Sequence, residues 1–254
     1  MGRSSRLRQE DTLMRYSADI QVARDLRGRL PDFKVDWQHV ALLIIDMQYI
    51  DAHPDYGYGL KAKEAGTFAT LNYYFDRLAK LVLPNIGRLA GRFRELPQPV
   101  IYVRIGSRRS DGSDTSWRYK QFNLLAPPDS KEAQILAEIA PEPGDVVIDK
   151  TTSGAFSSTN LDQVLRNMAI SSLVISGVAT NGCVESTVRT AGDLGYLTYL
   201  VEDGCAAFKP ELHEESIRDM DHNFALVKTT ADILDESFEG EVPPPVAPVG
   251  VAAR

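Results

Sequence analysis

The sequence is poor in the residues that staple, chelate and span. It holds two cysteines, Cys183 and Cys205, in 254 residues. That is too few for a disulfide-built scaffold and suits a reduced, cytoplasmic setting. Four histidines, at positions 39, 53, 213 and 222, give metal chemistry little material, and no metal is expected. No apolar run reaches membrane-spanning length, and no charged-then-apolar leader stands near the start, so neither a span nor a signal sequence is expected. Lys and Arg number 28 against 35 Asp and Glu, a formal charge of −7, which gives no basic excess for nucleic acid. No internal repeat is present.

What the sequence does have is 43% apolar content in a chain long enough for one large core. Strand-like runs recur at 40 to 45, 99 to 103, 146 to 148, 172 to 176, 197 to 201 and 225 to 228. Segments of helical character separate them, and that alternation predicts a three-layer α/β/α, doubly wound, mostly parallel six-stranded sheet. Thr67 to Leu96 reads as one long helix kinked at Pro84, with an apolar stripe of Leu71, Phe75, Leu78, Val82, Ile86, Leu89 and Phe93. Ser130 is expected to cap a helix through Ala140, and Thr159 with Asp162 one through about Ala169. Pro210 suits a helix first turn, and a final short helix is expected from near Thr230.

Residues 1–36 are charged and lack a strand period, and are expected to be an N-terminal arm; 37–238 form the domain; 239–254, with Val-Pro-Pro-Pro-Val-Ala-Pro, form a Pro-rich flexible tail.

Three polar residues end apolar runs. Asp46 closes Val40-Ala-Leu-Leu-Ile-Ile45, Lys150 follows Val146-Val-Ile-Asp149, and Cys183 lies beyond Ile175-Ser-Gly177, where a loop meets a helix. In doubly wound sheets the ligand crevice lies beyond the carboxyl ends of the strands, so the three should converge there. Lys150 and the helix N-terminus both favour a Cys183 thiolate, and Asp46 can take the thiol proton. Taken singly, each has a plainer reading: a turn-capping Asp46, a solvated Lys150, a buried apolar Cys183. Cys205 reads as packing and Asp203 as a brace for loop backbone near the site. Gly177 and Gly182 lack the spacing of either nucleotide fingerprint.

Four stretches resemble the isochorismatase-like cysteine hydrolases: Leu42-Leu-Ile-Ile-Asp-Met-Gln48, Asp149-Lys-Thr-Thr-Ser-Gly-Ala-Phe156, Gly177-Val-Ala-Thr-Asn-Gly-Cys-Val-Glu-Ser-Thr-Val-Arg189 and Val201-Glu-Asp-Gly-Cys-Ala-Ala207. The resemblance, in order over roughly residues 38 to 236, implies a catalytic set of Asp46, Lys150 and Cys183. It also implies a cis peptide between Val178 and Ala179, with the amides of Ala179 and Cys183 forming an oxyanion hole. It further implies cleavage of a small amide or ureido compound without cofactor, in a homo-oligomer. The stretch Val103-Arg-Ile-Gly-Ser-Arg-Arg109 lacks the Asp and His metal ligands of the family's nicotinamidases. Vinyl-ether hydrolysis of the isochorismate type, or a catalytically silent binder of the same fold, are the other readings.

Substrate contacts are expected from loops. Residues 49 to 66 offer Tyr49, Tyr56 and Tyr58, and 104 to 122 offer Arg104, Arg108, Arg109, Trp117, Arg118, Tyr119, Lys120 and Phe122. The candidate contacts are Gln48, Tyr49, Arg104, Trp117, Arg118, Phe156 and Thr180, with an arginine pairing a substrate carboxylate; Gln48 reads first as orienting Asp46 or nearby backbone, and Phe156 equally as core.

Overall fold

The structure, a computed structural model, describes residues 28–123 and 125–239. The expected arm over 1–27 and tail over 240–254 lie outside the described residues. By its contacts the chain divides into residues 1–32 and 33–254. Of the first unit, residues 28–32 are described, exposed and without regular secondary structure. The second unit carries everything that follows. Val35, buried, packs in its core with Phe33 and Trp37 against it, so the body begins a few residues before position 37.

Six strands, β1 (Val40–Ile45), β2 (Val100–Ile105), β3 (Val146–Lys150), β4 (Ser172–Val178), β5 (Leu197–Ala206) and β6 (Leu226–Lys228), form one sheet in the order β3-β2-β1-β4-β5-β6. Every neighbouring pair is parallel. The nine α-helices among the described residues are α1 (Tyr49–Ala52), α2 (Gly57–Glu64), α3 (Asn72–Arg77), α4 (Leu83–Glu95), α5 (Trp117–Phe122), α6 (Leu161–Asn167), α7 (Glu185–Asp193), α8 (Pro210–Met220) and α9 (Thr230–Glu239).

A parallel strand at the centre of such a sheet is buried on both faces, and β1 is fully buried along its length. Its alternate residues feed two cores. Val40, Leu42 and Ile44 join Ile86, Leu89 and Phe93 of α4 and Ile233 of α9. Ala41, Leu43 and Ile45 join Leu161 and Leu165 of α6, Val188 and Ala191 of α7 and Met220 of α8. This is the expected three-layer arrangement. Truncating a residue such as Leu43 to alanine would destabilise the domain by roughly 2–5 kcal/mol.

Two helix expectations change. The long helix of Thr67 to Leu96 is divided: a 3-10 turn at Phe68–Leu71, then α3, a π-helical stretch at Leu78–Val82, and α4, with Pro84 in its first turn. A proline offers no N–H to the preceding turn, and the wide turn just before it accommodates that loss. The helix expected from Ser130 reduces to a 3-10 turn at Ala137–Ile139. Ser130 Oγ does accept from the Ala133 amide at 3.2 Å. The backbone that follows is captured by the segment after β1: Tyr49 donates to Gln134 O, Ile50 to Glu132 O and Leu136 to Met47 O, at 3.0–3.1 Å. Those long-range bonds replace the helical ones.

Candidate active site

The strand order reverses between β1 and β4, the switch point at which doubly wound sheets form their ligand crevice. Asp46 directly follows β1, its amide donating to Val103 O at 2.8 Å. Its φ of 52° places it in the left-handed region, which aspartate tolerates better than most residues. Beside it, β4 passes through Gly177 at φ 117°, where any Cβ would run into the Ile45 carbonyl oxygen. Only glycine allows the two strand ends to lie this close.

The peptide bond between Val178 and Ala179 is cis. The chain then makes a wide turn over Thr180–Val184, with non-helical dihedrals at Asn181 and Gly182, before α7 begins at Glu185. Cys183 therefore sits in that turn, just ahead of the regular helix. Lys150 is the last residue of β3, two strands away from β1, and its long side chain spans the gap.

The three groups meet at Lys150. Its fully buried Nζ lies 2.9 Å from Asp46 Oδ2 and donates to Cys183 Sγ at 3.4 Å, Tyr119 Oη at 3.1 Å and Thr152 O at 3.1 Å. Both Asp46 oxygens are sealed from solvent and neither takes a well-directed hydrogen bond, which leaves the carboxylate with acceptor capacity. Burial raises the Asp46 carboxyl above the ordinary carboxylate range, opposed by the Lys150 charge and the Cys183 thiol. Burial works against the Lys150 charge too, but Asp46, Cys183 and Tyr119 outweigh it and hold the ammonium well above a free lysine. Cys183 is pushed up to about 12, first by burial and then by the Asp46 charge, with Lys150 pulling the other way. Burial and the Asp46 charge thus oppose the thiolate that the helix and the lysine favour.

A second set of contacts fixes the cysteine turn. Thr180, fully buried, bonds through Oγ1 to His213 Nδ1 at 2.8 Å, and His213 Nε2 lies 3.0 Å from Arg77 Nη2. Ser216 donates to Glu185 at 2.5 Å, with its oxygen 3.3 Å from Thr180 O, and Glu185 pairs with Arg189 at 2.7 Å. Thr187 Oγ1 donates to Cys183 O at 2.7 Å. Asp203 Oδ1 accepts from the amide and hydroxyl of Thr230, both at 2.7 Å, and so caps α9. Cys205 is buried core, and both cysteines are free.

Most of the expected substrate contacts have other work. Gln48 is fully buried, accepting from Ile105 N at 2.6 Å and donating to Ile105 O at 2.8 Å and Glu132 O at 3.2 Å; it ties β1 to β2 and has no spare polar atom facing a ligand. Tyr49 packs against His53 and Tyr56, with Lys131 Nζ 3.7 Å from its ring centroid. Arg104 pairs with Asp149 at 2.6 Å and donates to Ala133 O. Asp149 points away from the sheet face of its neighbour Lys150, so Arg104 is held off the site. Phe156 stacks with Tyr196 and packs against the core. Trp117, 74% exposed, and Arg118, whose Nη1 donates to Ser153 Oγ, lie at the surface on α5.

The same helix carries the residue that the loop reading leaves among eight. Tyr119 is buried with its hydroxyl against both Lys150 Nζ, at 3.1 Å, and Cys183 Sγ, at 3.5 Å. The available signal is Ser116 ahead of a short helical run that puts one aromatic three residues on, facing inward. Two more buried groups lie nearby: burial, then the Asp46 charge, raises Asp51 well above the carboxylate range, and burial, then Asp51, raises Tyr58 above an ordinary phenol.

Comparison with known proteins agrees with this geometry. The chain is 38% identical over 216 residues to the ureidoacrylate amidohydrolase RutB of Enterobacter sp. (strain 638), covering 78% of this chain and 89% of that protein. It is 30% identical over 172 residues to an N-carbamoylsarcosine amidase of Arthrobacter sp., covering 64% and 65%. Among solved structures, a cysteine hydrolase from Pseudomonas syringae pv. phaseolicola 1448A shares the fold with a TM-score of 0.69 at 23% identity, over 84% of this chain and 98% of that one. The model of the Isochorismatase domain matches residues 40–232, from the first residue of β1 into α9, and the chain belongs to that family.

Proposed function

We propose that this protein is a cysteine amidohydrolase that cleaves a C–N bond of a small ureido, carbamoyl or primary amide compound through a thioester on Cys183. The observation that carries the reading is the buried Lys150 ammonium, 2.9 Å from Asp46 and 3.4 Å from the Cys183 sulfur. A lysine is sequestered in this way when its charge has a partner and a task.

Asp46 takes the thiol proton as sulfur attacks the substrate carbonyl, and Lys150 balances the negative charge while it passes between the two. The carbonyl π electrons move to oxygen, and the amides of Ala179 and Cys183 receive that oxyanion. Collapse breaks the C–N bond, with Asp46 returning its proton to the departing nitrogen. Water, losing its proton to Asp46, then attacks the thioester, and the thiol leaves reprotonated. The balance closes with water as sole co-reactant. The names of relatives that act on ureidoacrylate and N-carbamoylsarcosine support that substrate class, and Arg118, next to Tyr119 on α5, is the cation assigned here to a substrate carboxylate.

The test is ammonia release from a panel of small amides and ureido acids, with wild type and Cys183→Ser compared in the presence of a chelator. Activity lost in the variant and kept under chelator supports the thiol route. Ammonia release that survives Cys183→Ala would overturn it.

A further inference from the structure

Hydrogen-bond direction around Cys183 assigns a role to Tyr119. An ammonium only donates, so at 3.1 Å the Lys150 Nζ gives a hydrogen to the Tyr119 oxygen. The phenol's single hydrogen is then free to turn elsewhere. Its neighbour at 3.5 Å, within reach of a sulfur acceptor, is Cys183 Sγ. The sulfur thus accepts from two donors, Lys150 at 3.4 Å and Tyr119. Its own hydrogen is left to face the Asp46 carboxylate, whose sealed oxygens have no other well-directed bond.

The placement of Tyr119 is built rather than incidental. Ser116, at the start of α5, donates its amide to Thr151 O at 3.0 Å, which ties the helix to the residue after Lys150. At the other end Lys61 reaches from α2 to the carbonyls of Phe122 and Asn123, the C-terminal acceptors of α5. The ring packs with Ile50, Ile105, Ala126 and Ala133. Anchored at both ends and on its face, Tyr119 holds its hydroxyl at the third corner of a triangle with the lysine nitrogen and the cysteine sulfur, 3.1 Å from one and 3.5 Å from the other.

We propose that Tyr119 is a fourth catalytic residue, whose hydroxyl donates to the Cys183 sulfur and stabilises the thiolate as Asp46 removes its proton. In the step, the S–H proton passes to Asp46, the sulfur pair forms the S–C bond, and Tyr119 keeps its own proton throughout. Burial, and its hydrogen bond to Cys183, hold the phenol proton on, so it remains a donor across the working range. The other charged or titratable groups around the sulfur are Asp46, Lys150, Asp51 and Tyr58, and the variants below leave them in place.

The role rests on the amidohydrolase reading for its meaning, but its decisive test needs no substrate. Iodoacetamide labelling of Cys183, followed by mass spectrometry from pH 7 to 11, is compared in wild type and Tyr119→Phe, which retains the packed ring. We expect the labelling profile of the variant to move to higher pH, with at least threefold slower labelling at pH 9. Site-specific 3,5-difluorotyrosine at position 119, a stronger donor of the same shape, should move the profile the other way. Where a substrate has been found, Tyr119→Phe should lower kcat tenfold or more and leave KM within twofold. Superimposable labelling profiles for the three proteins would overturn the role, whatever the substrate proves to be.

Discussion

Replacing Asp46 by asparagine should make Cys183 more reactive towards an alkylating agent while abolishing turnover. The reason is charge balance in a buried space. In the resting site Asp46 is negative, Lys150 positive and the thiol neutral, so ionising the thiol leaves one uncompensated buried negative charge. With asparagine, the lysine stands alone beside the thiol at 3.4 Å, and ionising the thiol neutralises a buried positive charge instead. Two unit charges about 4 Å apart at an effective dielectric constant of about 20 interact by about 4 kcal/mol, about three decades of acidity. Removing the Asp46 charge should therefore bring the thiol from about 12 back toward the range of a free cysteine.

The gain in labelling is smaller than the gain in thiolate. A thousandfold larger thiolate fraction comes with an intrinsic nucleophilicity about thirtyfold lower, at a Brønsted slope of about 0.5, so labelling at pH 8 should rise about thirtyfold. The assay is pseudo-first-order iodoacetamide labelling of Cys183, with buried Cys205 as the internal slow control. A wild-type rate that plateaus near neutral pH, or an Asp46→Asn variant that labels no faster than wild type, would refute the protonated resting thiol and the part given to Asp46 in suppressing it.

Lys150→Met leaves the Asp46 carboxylate buried without a cation and should destabilise the domain by about 3–5 kcal/mol in urea unfolding, less at low pH where Asp46 can protonate. Arg104→Ala should leave KM for an acidic substrate unchanged, because that guanidinium is committed to Asp149 and Ala133, whereas Arg118→Ala should raise it; the steady-state parameters decide. His213 is buried and held neutral, down at about 4, by burial and by Arg77. Between pH 6.5 and 4 the unfolded imidazole binds a proton that the folded one refuses, so stability is lost as pH drops through that window, by up to about 3 kcal/mol. His213→Asn should flatten that part of a stability-against-pH curve.

The fold was legible because a parallel sheet writes itself into sequence twice, as apolar runs of strand length and as the helical stretches between them. Runs such as Val40-Ala-Leu-Leu-Ile-Ile45 lie in strands whether or not their partners are known, since both faces are buried. Strand ends were the weaker part: β4 and β5 run past the apolar residues, to Val178 and Ala206, carried by pairing with their neighbours rather than by propensity. The segment from Ser130 has local signals for a helix, and it is not one because the backbone after β1 takes its hydrogen bonds. Nothing within ten residues of Ser130 encodes that capture.

The site divides along the same physical line. Asp46, Lys150 and Cys183 could be placed together because strand order carries the ends of β1, β3 and β4 to one edge of the sheet, and a polar residue ending an apolar run is visible. Loop residues have no such constraint. Gln48 binds nearby backbone, as its first reading has it, while Arg104 looks like a ligand-binding group by type and became structural because Asp149 lay within reach. Tyr119 looks like one aromatic among several, and belongs with the cysteine because α5 is pinned at Ser116 and at Phe122. Even the resting protonation state depends on depth, which sequence does not give: the same lysine and aspartate on a surface would leave the thiol near its ordinary acidity, and here burial is the largest influence on all three. In the proposed reaction the nucleophile keeps its proton until a substrate carbonyl offers the negative charge an oxyanion hole to occupy, so that thiol ionisation and attack are coupled in one step.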